Sequence, residues 1–202
     1  MYTREQIAET LKAKGHKWFE DHNNKGYDVN IVGIRSSETN GKVTNEFDDH
    51  LTISYKCSDG GWHFYCWAAT TDPGQYWMEH PMNNNGTAIL VPGQYRSSHK
   101  IRLHQGKYEA LCQQRPVRVY RDGNKDDIYD VDEDTITQGI YGINIHRSNP
   151  YTESYYVNKW SAGCQVFKRV DDFDSFMEIC HKAKDIWGNS FTYTLIESED
   201  IK

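Results

Sequence analysis

The sequence predicts an α+β domain built mainly on antiparallel strands, with one helix near each end. Three observations carry this expectation. Several segments alternate apolar and polar residues with period two, and turns containing Gly, Asn or Pro separate them. Two stretches near the ends carry apolar residues at helical spacing. Tyr and Trp, at 14 and 6 of 202 residues, are abundant and suit a pleated, half-buried surface.

In chain order, Thr3-Arg4-Glu5-Gln6 reads as a capping box. It opens a helix over residues 4–20, with Ile7, Leu11 and Trp18 on one face and the polar stretch 21–26 as its end. Strands are expected over 29–34, 51–57, 62–69, 87–91, 100–103, 117–120 and 142–146. In the third of these, Trp62, Phe64, Cys66 and Ala68 alternate with His63, Tyr65 and Trp67. Turns stand at Ser58-Asp59-Gly60-Gly61, Asn83-Asn84-Asn85-Gly86 and Pro92-Gly93. A second helix carries Phe173, Phe176, Met177, Cys180, Ala183 and Ile186 as its stripe, with Asp171 or Asp172 as cap and Gly188 as stop. A strand over 191–196 follows. No repeat or linker divides the chain. One catalytic domain over 1–202 is expected: an N-terminal helix (1–26), a β-rich core bearing the active site (27–168), and a C-terminal helix and strand (170–202).

Charge and hydropathy exclude several partners. Net charge is −6 and no stretch gathers Lys and Arg into a stripe, so a nucleic-acid partner is not expected. No run reaches the ~18 apolar residues of a membrane span. The polar N-terminus lacks the apolar core of a signal peptide, so synthesis in the cytoplasm without a signal peptide is expected.

Five cysteines in such a chain are expected as free thiols rather than a disulfide framework. Cys57, Cys66 and Cys180 lie on apolar faces of predicted elements, and Cys112 follows Leu111; each reads as a small buried hydrophobe. Cys164 differs. In Trp160-Ser161-Ala162-Gly163-Cys164-Gln165-Val166 it follows a Gly that lets the backbone turn sharply and approach a substrate. A thiol is little ionised at neutral pH and needs a base. Eight of the nine histidines have no distinguishing neighbours. His146 ends the run Tyr141-Gly142-Ile143-Asn144-Ile145, whose alternation puts Asn144 and His146 on the face away from the core. It is the expected base, and Cys164 is expected to alkylate faster than the other four thiols at neutral pH.

Fourteen residues separate His146 from Ser161-Ala162-Gly163-Cys164. This pattern resembles the L,D-transpeptidase (YkuD-type) family, whose signature is a strand-end His, a spacer of this length, and Ser/Thr-x-Gly-Cys. Leu90-Val91-Pro92-Gly93-Gln94-Tyr95 resembles the family's cleft-flanking segment. The resemblance spans roughly 87–168. It implies a β-sandwich, and an enzyme that acts on peptidoglycan stem peptides through an acyl-enzyme, as peptidase or transpeptidase. Cys164 would be the nucleophile and His146 the base. Gly163 and Cys164 amides would serve as oxyanion donors and Ser161 as a supporting hydrogen-bonder, with Tyr95, Asn144, Arg147 and Trp160 around the substrate. No cofactor is required. The chain departs from the family at Ala162, at Gln165-Val166 and at Arg147-Ser148, which suggests a phage endolysin-like enzyme, acting on the cell wall after phage-assisted release.

Three further readings stay open. Asp122, Asn124, Asp126, Asp130 and Glu133 have the spacing of an EF-hand-type calcium loop, although Asp127 stands where Gly belongs; a solvated acidic turn is the alternative. A sortase-like transpeptidase would also order His before Cys, with Arg169 as its arginine. A non-enzymatic cell-wall-binding or virion module would use Trp62, Trp67, Tyr76 and Trp77 as stacking platforms.

Overall fold

The computed structural model describes residues 2–202 and is mainly β, with eight strands closed into a barrel, a smaller three-stranded sheet and three α-helices. A barrel therefore replaces the expected sandwich: the first barrel strand pairs with the last, so the sheet has no free edge.

Helix α1 spans Arg4–Ala13 and opens as expected, with Gln6 N donating to Thr3 Oγ1 and Thr3 N to Gln6 Oε1. It ends seven residues earlier than the apolar pattern implies. Gly15, at φ +73°, takes the left-handed conformation that stops it, and Trp18 reaches the same apolar cluster from extended chain. That cluster joins Ile7 and Leu11 to Val32, Ile34 and Ile196, so α1 covers one flank of the barrel.

Strands β1 (Asn30–Arg35), β2 (Asp49–Lys56) and β3 (Trp62–Thr70) form an antiparallel series. Helix α2 (Gln75–Glu79) was not evident in the sequence, because five residues carry too little periodicity. Strand β4 (Thr87–Leu90) leaves the barrel and pairs with β7 (Val117–Asp122), which pairs with β8 (Thr137–Gly139). Strands β5 (Gly93–His104) and β6 (Tyr108–Gln113) form a hairpin. Strand β9 (Ile145–Arg147) touches β6 through Leu111 and Ile145 and runs parallel to β10 (Gln165–Phe167). Helix α3 (Val170–Trp187) buries Phe173, Phe176, Met177, Cys180 and Ala183 in the principal core, while Ile186 is exposed. Its cap is Arg169 rather than Asp171 or Asp172; those two carboxylates sit in the first turn, where they favour the helix dipole. Gly188, at φ +90°, ends it, and β11 (Phe191–Glu197) closes the barrel in parallel with β1.

Among the described residues no helix is long and apolar enough to cross a membrane.

Candidate active site

The parallel pair β9/β10 positions the two residues singled out above. Val166 lies opposite His146 and Gln165 opposite Ile145, and Gln165 N donates to Asn144 O at 2.9 Å. Cys164 therefore stands beside Asn144, two residues before His146 and roughly 7 Å from it along the strand direction. Parallel neighbours need a long return, here residues 148–164. That return is anchored: Ser148 N and Ser154 N donate to the carbonyls of Phe167 and Lys168, and Val157 N to Asn45 O. Its end brings Trp160 to the site. Cys164, His146, Asn144, Arg147 and Trp160 all line one cavity of about 930 Å³.

Below Cys164, Ser161 closes a tight turn. Its Oγ donates to Cys164 O at 2.8 Å and accepts from Gly163 N at 3.2 Å. The Gly163 amide, one of the two expected oxyanion donors, is thus engaged by Ser161 Oγ. Gly163 is instead required for shape: it has φ +115°, and a Cβ there would stand 2.4 Å from Ala88 O. Among the hydrogen bonds of the described residues none uses the Cys164 N–H, which leaves that amide available. Gln165, fully buried, donates to Gly163 O and accepts from Tyr193 Oη, and so braces the turn.

The Cys164 thiol donates to Gly142 O at 3.2 Å and accepts from Asn144 N at 3.5 Å. Burial pushes it up to about 11 despite the Asn144 hydrogen bond. His146 Nδ1 lies 2.8 Å from Arg147 O. A carbonyl only accepts, so the proton sits on Nδ1 and the Nε2 lone pair is free to act as base. Burial, then neighbouring His104, depress His146 to about 3. Both groups rest uncharged.

Two residues without a distinguishing sequence neighbourhood complete the site. His104 and Tyr108 face each other across the β5/β6 hairpin, and both line the cavity. Asn144 Nδ2 donates to His104 Nδ1 at 3.2 Å, and Tyr108 Oη donates to Arg147 O at 3.4 Å, its hydroxyl pushed up by burial to about 12. The turn residues Gln105-Gly106-Lys107 between alternating runs were the available signal. Buried Gln113 organises the segment before His146, accepting from the amides of Tyr141 and Ile143 and donating to the carbonyls of Arg115 and Gly139.

Other expected site residues lie elsewhere. Tyr95 does not line the cavity; its hydroxyl faces the carbonyls of Val91 and Arg118, and its ring packs against the principal core. Arg169 is exposed and pairs loosely with Asp171 at 3.9 Å, away from the cavity. In the acidic segment, Asp130 N donates to Asp122 Oδ2, and Asn124 Nδ2 donates to both Asp126 and Asp130. Glu133 begins a 3₁₀ turn. Asp122, Asp126 and Asp130 thus each accept from an N–H donor, and among the described residues no three His, Cys, Asp or Glu side chains gather at metal-binding geometry.

No protein-family model, no curated protein and no solved structure matches the chain.

Proposed function

We propose that the protein is a cysteine-nucleophile enzyme that acts on peptidoglycan stem peptides through an acyl-enzyme, as peptidase or transpeptidase. The observation that carries this reading is the joint lining of one cavity by Cys164 and by His146, whose ring nitrogens are sorted by the Arg147 carbonyl. The His–Cys spacing and its L,D-transpeptidase resemblance supply the substrate class.

In this reading Cys164 Sγ attacks the scissile carbonyl as its proton passes to His146 Nε2. The oxyanion accepts from the free Cys164 amide. Collapse expels the amine, which takes the proton from His146, and leaves a thioester on Cys164. Water or a second amine, deprotonated by His146, then attacks the thioester and restores the thiol. Forming either charge alone inside the cavity is uphill, but thiolate and imidazolium formed together offset one another.

Digestion of purified muropeptides with product identification by mass tests the reading. Wild type is expected to convert them, and Cys164→Ala to be inactive with its Tm little changed. Retained conversion by that variant rejects the nucleophile.

A further inference from the structure

The cavity has a one-sided charge. Arg121, Arg147, Lys107 and Lys159 line it, and no Asp or Glu does, in a chain whose 29 acidic residues outnumber its 23 basic ones. Among the described residues none of the four has a carboxylate within ion-pair distance, whereas other cations do, including Arg35, Lys14 and Lys168. Four unpaired cations in one concavity repel one another, and an anionic guest removes that repulsion.

The two arginines are held rather than free. Arg147 lies 4.0 Å from the Tyr108 ring centroid and donates Nη1 to Ser148 O. Arg121 lies 4.6 Å from the Tyr141 ring centroid, donating Nε to Thr137 Oγ1 and Nη1 to Gly86 O. Each retains an unused Nη2, a planar donor suited to a carboxylate oxygen. The Tyr141–Arg147 stretch connecting the two stations carries Gly142, Asn144 and His146, so both flank the reacting centre.

We infer that the cavity selects a carboxylate-bearing peptide, with Arg147 and Arg121 as its specificity-determining residues and Lys107 and Lys159 supplying the surrounding field. The inference deepens the acyl-transfer reading and rests on it for the peptide class.

The test uses Cys164→Ala, so that binding is read without turnover. Calorimetry compares soluble muropeptides with free carboxylates against the same muropeptides after carboxyl amidation, with inorganic phosphate as a competitor. The free acids are expected to bind on the order of tenfold tighter or more. The added pair Arg121→Gln and Arg147→Gln should bring that ratio close to one, the free acids losing more affinity than the amidated form. Equal binding of the two forms, no binding of the free acids, a ratio that survives the arginine changes, or phosphate competing as well as the peptide acid would each overturn the inference. Failure of wild type to convert muropeptides, with the binding ratio intact, would instead reject the catalytic reading alone.

Discussion

His104 stacks on His146, with ring centroids 4.3 Å apart and planes inclined by 22°. Asn144 donates to His104 Nδ1 and His146 donates from Nδ1 to Arg147 O, so two neutral rings of opposite tautomer face one another. Charging either ring costs more because the other is close and shielded from water.

The first consequence concerns pH. His146 is depressed to about 3 by burial and then by His104, and must be neutral to act as base. The acidic limb of kcat/KM should therefore lie well below the ordinary histidine value of about 6.5. His104→Phe keeps an aromatic partner and removes the chargeable neighbour, which should move that limb to higher pH. A wild-type limb near pH 6.5 would contradict the geometry.

The thiol makes the next prediction. The sequence alone suggests that Cys164 alkylates fastest at neutral pH, but burial raises it to about 11 and its proton is held by Gly142 O. Iodoacetamide should react with it slowly at pH 7, with a rate still rising above pH 9, because the thiolate is the reacting form. A plateau below pH 8, followed by peptide mapping, would show an ion pair at rest and refute this arrangement.

Gly163 is fixed by sterics rather than chemistry. Gly163→Ala forces a Cβ into the Ala88 carbonyl at a backbone angle that L side chains rarely adopt. Denaturant unfolding should show a loss of about 2–4 kcal/mol together with loss of activity. An active variant of unchanged stability would mean that the turn is looser than described.

His99 links the site to acid stability. It is fully buried, donates Nε2 to Ile143 O at 2.9 Å, and burial lowers it to about 4. The folded state keeps it neutral while the unfolded chain takes up a proton below about pH 6.5. Its contribution is therefore complete above that value and is lost as pH falls toward 4, by on the order of 3 kcal/mol. His99→Phe should destabilise the protein at pH 8, because Ile143 O is orphaned, and the deficit should shrink by pH 5. An equal deficit at both values would show that His99 is charged when folded.

Much of the fold was legible because its elements obey simple periods. The capping box at Thr3 and Gln6, the stripe of α3 and its Gly188 stop follow directly from local chemistry. Barrel closure does not, since it depends on β1 pairing with β11 across most of the chain. Cys164 and His146 were singled out from a Gly-flanked turn and from alternation over 142–146, although only Ile145–Arg147 of that run is strand and His146 is buried. His104 and Tyr108 were missed because their hairpin meets β9 only through the Leu111–Ile145 pairing, and Arg121 because β7 is placed by its pairing with β4. Tyr95 shows the reverse error: a motif-like position whose hydroxyl is turned to backbone carbonyls.

The central claim is that Cys164 carries the acyl group. Wild type mixed with carboxylate-bearing muropeptides, quenched in acid and examined by intact mass and peptide mapping, should show one acyl adduct on the peptide containing Cys164. His146→Gln should slow its appearance by about 10²–10⁴-fold. Conversion of muropeptides by Cys164→Ala, or an adduct mapped to another residue, would contradict the account.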